Sequence, residues 1–214
     1  MSKVSHVRLL YVPSRVLLLA LLLGGCSETP QDRSGEVKNS GHPAAPVTGR
    51  FAFQRMYIQA RTWAADAQPL RLVSFNLKEV LSEAGRCGAW QATFVSPMRG
   101  KARTYTYSVV ESAGNVHEGA LAGREEPWSG PHGQQQPFLQ QALRIDSDEA
   151  FTAATKVSTD YLKKNPKTTV LFVLESTPRF PNPTWRVLWG ETIGTSDYSV
   201  FVDASTGKYL QTVK

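Results

Sequence analysis

Hydrophobic and polar positions divide this 214-residue chain into sharply different stretches. Residues 16–23, Val-Leu-Leu-Leu-Ala-Leu-Leu-Leu, are continuously apolar, whereas residues 27–50 are rich in Ser, Pro, Gly and charge and show no apolar period. From there Phe53, Met56, Tyr57, Ala60 and the pair Trp63/Ala64 fall at i, i+3, i+4, i+7 and i+10/11. That spacing predicts one face of an amphipathic helix, with Gln54, Gln59, Arg61 and Thr62 mostly on the other. Pro69 closes the segment, and 70–77 reads as a strand. Two more strand-like runs follow at 90–95 and 104–110, with turn chemistry at 98–102 between them.

Residues 123–143 open with GREEPWSGPHGQQQ and predict a linker. A second helix is then expected: Asp146 can cap it and Glu149, three residues on, can answer as in a capping box. Ala150, Phe151, Ala154, Val157, Ser158, Tyr161 and Leu162 would form its buried face. Asn165 precedes Pro166 and is biased away from helical angles, so the helix should end there. Strands are expected at 168–175, 184–189, 198–203 and 208–213, with the turn Asp203-Ala-Ser-Thr-Gly207 joining the last two. The halves can be overlaid: Trp63 on Tyr161, Trp90 on Trp185, Gly114 on Gly207, at offsets of 98, 95 and 93. Each has a helix followed by strands, which reads as a diverged tandem duplication.

The apolar run changes the picture of where the chain resides. Lys3, Arg8 and Arg15 precede it and Gly24-Gly25-Cys26 follow it. Eight apolar residues are too few for a spanning helix, which needs about 18–20. The arrangement is that of a secretory signal, and Leu23-Gly-Gly-Cys26 resembles the lipid-attachment box of bacterial lipoproteins. The resemblance implies that residues 1–25 are removed and that Cys26 carries lipid, through a thioether and an acylated amine. Two or more acyl chains anchor stably where one does not. Ser27 after the cysteine implies the outer membrane, facing the periplasm, in a host with two membranes. Residues 26–50 would then be a lipidated leash, its 24 residues beyond the cysteine reaching about 25–30 Å if flexible.

The formal charge of +6 falls in the mature chain to 21 Lys+Arg against 18 Asp+Glu. With no basic block, nucleic acid is not an expected partner. Cys87 is left as a lone thiol, which excludes an internal disulfide framework and reads as a small buried hydrophobe.

In the second half, Ile145-Asp-Ser-Asp-Glu-Ala150, Trp185-x-Val187, Tyr198-Ser-Val-Phe-Val-Asp-Ala204 and Thr206-Gly207 stand in an order that resembles the PepSY domain. The resemblance covers residues 144–214 and implies a helix packed on a curved antiparallel sheet. Residues 51–122 fit it only in outline, since Glu111-Ser-Ala-Gly114 stands where the aspartate turn would be and residues 78–89 lengthen a connection. The expected fold is therefore α+β, two tandem modules of this kind. The family implies binding or restraint of another envelope protein, a peptidase among the options, and supplies no catalytic residues. The Asp203/Gly207 turn is expected to be structural.

No enzyme signature is legible, and neither a cofactor nor a metal site is expected. Of His42, His117 and His132, none is paired with a second ligand at helical spacing. Asp146, Asp148 and Glu149 are explained by capping and the helix dipole. Trp185 and Trp189 share a sheet face with Val187 and read as core. Arg179 and Phe180, within Pro178-Arg-Phe-Pro-Asn-Pro183, form the candidate partner contact, an aromatic and a cation on a stiff loop. Phe180 folding back over the sheet end is the competing reading. The functional alternatives are a small-ligand or lipid-binding protein with its cavity between helix and sheet, and a hydrolase of unseen catalytic group.

Overall fold

Thr48 starts the first helix earlier than the apolar period suggests. Its side chain accepts from the Phe51 amide, and helix α1 runs over Gly49–Trp63. The computed structural model describes residues 44–131, 133 and 135–214. Cys26, His42 and His132 lie outside them. Just before α1, the short strand β1 (Val47–Thr48) pairs with β3 (Arg86–Cys87). The leash expected to reach residue 50 thus already belongs to the folded body from Val47. Two residues of strand are too short to show an alternation, which is why this boundary was misplaced.

Helix α1 is followed by β2 (Gln68–Phe75), β4 (Ala89–Ser96), β5 (Lys101–Ser108) and β6 (Gly119–Pro127). Then come α2 (Ser147–Val157), α3 (Thr159–Lys164), β7 (Val170–Glu175), β8 (Thr184–Trp189), β9 (Tyr198–Asp203) and β10 (Tyr209–Val213). The class is α+β, as expected. Two corrections concern the second linker and the second helix. Residues 123–127, expected to open the linker, belong instead to edge strand β6; most of β6 is exposed, so it carries Gly, Arg and Glu without an apolar alternation. The second helix is broken in two at Ser158, whose hydroxyl donates to the Ala154 carbonyl at 2.7 Å and competes with the helical ladder.

Helix and four-strand meander occur twice, but not as two sheets. All eight main strands form one antiparallel sheet in the order β10-β9-β8-β7-β2-β4-β5-β6. The first strand of each half meets the other through three residue pairs, Arg71 with Glu175, Leu72 with Leu174 and Val73 with Val173. The helices lie on one face. Between them and the sheet, Phe53, Met56, Trp90, Phe94, Phe172 and Trp185 are buried in a continuous core. Trp90 and Trp185 meet edge to face with centroids 6.3 Å apart. Each indole N–H donates to the carbonyl two residues before its own helix, Trp90 to Val47 at 3.1 Å and Trp185 to Ile145 at 2.8 Å. A side chain on Gly49 would meet the Trp185 ring at 2.7 Å, so the start of α1 rests directly on both indoles.

Cys87 is free and fully buried, and that burial pushes its thiol up from the ordinary value. Among the described residues no helix is long and apolar enough to cross a membrane.

The two helix N-termini are joined by adjacent residues. Asp146 Oδ1 accepts from the amides of Arg50 and Ser147, and the capping box with Glu149 is present. Buried Ser147 Oγ accepts from the Gly49 amide at 2.8 Å and donates to the Gly85 carbonyl at 2.6 Å. Gly85 has φ +86°, and a Cβ there would fall 2.5 Å from the Asp148 backbone. Ser147→Ala leaves one buried donor and one buried acceptor unpaired, so it should lower unfolding free energy by about 2–4 kcal/mol. Urea unfolding of the mature chain measures this; a loss below about 0.5 kcal/mol would show that the joint contributes little.

Candidate functional site

The strand period places Arg71, Val73, Val173, Glu175, Thr184, Arg186 and Phe201 on the sheet face away from the helices. Register then makes neighbours of residues far apart in sequence. Phe201, Arg186, Val173 and Val73 form one row across the strands, and Thr184, Glu175 and Arg71 the next. Farther along, Leu171, Val173 and Leu188 with Val73 and Ile193 make a small apolar cluster of their own.

The β7–β8 connection folds over one part of this face. Thr177 N–H donates to the Phe180 carbonyl at 2.9 Å, and the Phe180 amide donates back to Thr177 Oγ1 at 3.1 Å. Three prolines stiffen the loop. Phe180 is half-buried, its ring 5.2 Å from that of Phe201 and tilted by 34°. The guanidinium of Arg179 lies 5.4 Å from the Phe180 centroid and that of Arg186 lies 5.8 Å from the Phe201 centroid. Two cation–π pairs are thus set back to back around a phenylalanine pair. Beside them opens a cleft of about 360 Å³, lined also by Glu175 and Thr184.

Its charges are unevenly matched. Glu175 lies 3.3 Å from Arg71 and accepts from Gln135 at 3.1 Å. Arg186 donates through Nε to Ser199 and through Nη2 to Ser196, and Arg179 donates to Gln211. Neither Arg179 nor Arg186 has a carboxylate partner among the described residues. Burial pushes the Arg186 pKa down, against the pull of Glu175, yet a guanidinium stays charged at any physiological pH.

Arg179 and Phe180 therefore come together at the mouth of one cleft. Phe180 also folds back, onto Phe201 near the end of β9. Arg186, Phe201, Glu175 and Arg71 were not singled out in the sequence. The alternation Trp185-Arg-Val187 and Val200-Phe-Val202 does set Arg186 and Phe201 outward, but only the register makes them adjacent.

The other candidates resolve into structural roles or weaker clefts. Asp146, Asp148 and Glu149 cap α2 and bind Arg50 and Arg86. His117 pairs with Glu111 at 3.0 Å on an exposed hairpin end. Among the described residues no three His, Cys, Asp or Glu side chains converge on a metal position. Most of the helix–sheet space expected to hold a ligand is filled by aromatic rings. An open groove of about 490 Å³ remains between residues 76–86, Phe151 and the start of β7. Its one cation, Arg86, is committed to Asp148 at 3.1 Å.

The loop is tied to the final turn. Asp203 Oδ1 accepts from the Ser205 and Thr206 amides at 2.8 and 2.9 Å, and Asn182 of the loop donates to Oδ2 at 3.3 Å. Gly207 completes the turn at φ +75°. These contacts match the structural role expected of Asp203 and Gly207.

The chain matches no protein-family model and no curated protein. A solved structure similar to it is that of a putative lipoprotein from Clostridium difficile 630, with a TM-score of 0.43 and 9% identity. The alignment covers 81% of this chain and 95% of that one.

Burial alone would raise the Asp203 pKa, but the hydrogen bonds from Ser205, Asn182 and Thr206 outweigh it and hold the carboxyl below its ordinary value of 3.8. A depressed folded-state pKa stabilises above the unfolded value and ceases to do so as pH falls through the folded one. Asp203→Asn should therefore unfold at lower temperature than the parent at pH 6, with the gap narrowing as pH falls below the ordinary value of 3.8. Melting curves across that range measure it, and a gap independent of pH would contradict the assignment.

Proposed function

We propose that this chain is a binding protein held at a membrane by lipid on Cys26, which engages another envelope protein through the helix-free face of its sheet. The observation that carries the reading is the cleft at Arg179, Phe180, Phe201 and Arg186. It exposes aromatic surface and two cations without carboxylate partners on a face that no helix covers among the described residues. Aromatic and Arg side chains are the types that dominate contact energies. The lipid anchor is supported by the basic, apolar and Gly-Gly-Cys26 pattern, and outer-membrane placement by Ser27. A PepSY-like character for both halves is supported by the order of helix and antiparallel meander, repeated around matched indole bonds. In that reading the protein holds or restrains its partner, a peptidase being one such partner, and performs no chemistry of its own.

Two experiments test it. Cys26→Ser should move the protein from the membrane fraction to the soluble periplasm; unchanged fractionation would remove the anchor. A photo-crosslinking residue at position 180 of the lipidated protein should capture one envelope protein in cells. The same residue at Lys156, on the helix side, should not. Equal capture from both positions, or none above a Cys26→Ser control, would overturn the docking face.

A further inference from the structure

We infer that the cleft recognises an acidic segment of its partner, with the carboxylate of an Asp or Glu placed against Arg186 and a neighbouring apolar side chain against the Phe180–Phe201 pair. This rests on the docking reading above and names the chemistry of the occupant.

The charge balance points to the anion. The acidic residue lining the cleft is Glu175, matched by Arg71 at 3.3 Å, and in the adjoining turn the oxygens of Asp203 are taken by two amides and Asn182. Arg186 and Arg179 remain, and each is oriented by a hydroxyl or amide side chain rather than neutralised. Arg186 is half-buried, and its Nη1 has no partner among the described residues. A guanidinium held in place by Ser196 and Ser199 loses little freedom when a carboxylate arrives, and charge-assisted bonds of this kind are about twice as strong as neutral ones.

The apolar half follows from the rings. Phe180 and Phe201 are already packed against each other and against their own arginines, so binding need not order them. A cleft of about 360 Å³ lies at the lower end of ligand-site volumes. A carboxylate with one adjacent apolar side chain suits that size. Glu175 within the cleft disfavours a dianion, which separates a carboxylate from a phosphate.

The test uses the mature chain carrying Cys26→Ser and three blocked peptides that differ at one position: acetyl-Ser-Phe-Glu-Ser-amide and its Gln and Lys counterparts. In an NMR titration the Glu peptide should bind at least tenfold more tightly than the Gln peptide, with the Lys peptide weakest. Arg186→Gln should erase the Glu-over-Gln preference. Arg179→Gln, at an exposed loop position, should reduce the preference severalfold, and it keeps the test valid if Arg186→Gln does not fold. Equal binding of Glu and Gln peptides, or a preference unaffected by both variants, would overturn the inference. Inorganic phosphate competing better than acetate would overturn it also. Crosslinking from position 180 separates the two levels: capture without any carboxylate preference leaves the docking face standing and removes only the acidic occupant.

Discussion

Two helices whose positive ends approach each other need an anion between them, and in this chain Asp146 supplies it. The N-termini of α1 and α2 meet where Asp146 Oδ1 receives an amide from each. Without that carboxylate the aligned peptide dipoles of both helices would face one another across a mostly buried gap. Ser147 completes the joint by holding the Gly49 amide and the Gly85 carbonyl with one hydroxyl. Three segments separated by tens of residues are fixed at one point. The two helices are thereby joined at their N-termini, although α1 packs on β2, β4, β5 and β6 and α2 on β8 and β9.

That joint reinforces a sheet whose halves meet at its centre through only three residue pairs. The β2–β7 contact is short, so the helix side must hold the halves in register. Trp90 and Trp185 do this from below, meeting edge to face under the start of α1 and each bonding the backbone that leads into its own helix. Any bulk at Gly49 would separate the helix from both rings. Because the three α-helices among the described residues lie on this face, the other carries none of them. Its Leu171, Val173 and Leu188 cluster is buried, with Val73 and Ile193 of the β8–β9 connection packed against it.

Much of this order was legible in the sequence, and the gaps have physical causes. Apolar periodicity located α1 and the inner strands, because those residues answer to a core. The cap at Asp146 and Glu149 was legible because capping is local. Edge strand β6 was not, since one lying mostly in solvent has no reason to alternate. Nor was β1, which is held by its pairing with Arg86–Cys87 and by the Trp90 bond rather than by pattern. The union of two modules into one sheet depends on matching Arg71–Val73 to Val173–Glu175, a long-range choice that leaves no local mark. The same holds for the cleft. Arg179 and Phe180 stood out because a proline-rich loop is visible, while Arg186 and Phe201 needed the β8–β9 register to become neighbours.

The position of the cleft follows from these constraints. A connection between antiparallel neighbours can be short, yet the β7–β8 connection is eight residues long, carries three prolines and closes on itself through Thr177 and Phe180. Its length lets it lie over the strand ends on the helix-free side, where Phe201 offers an aromatic surface. Asn182 then ties it to the Asp203 turn, and the Ala204 amide to the Pro183 carbonyl. The Ala204 carbonyl in turn accepts from the amides of Arg144 and Ile145, the residues leading into α2. A continuous chain of hydrogen bonds therefore runs from the helix joint at Asp146, through the last turn, to the loop that forms the cleft. The joint that holds the halves together also fixes the loop, so Phe180 and Arg179 stand on a rigid support although they lie in a loop. A contact surface preorganised in this way loses less conformational entropy on binding than a free loop would.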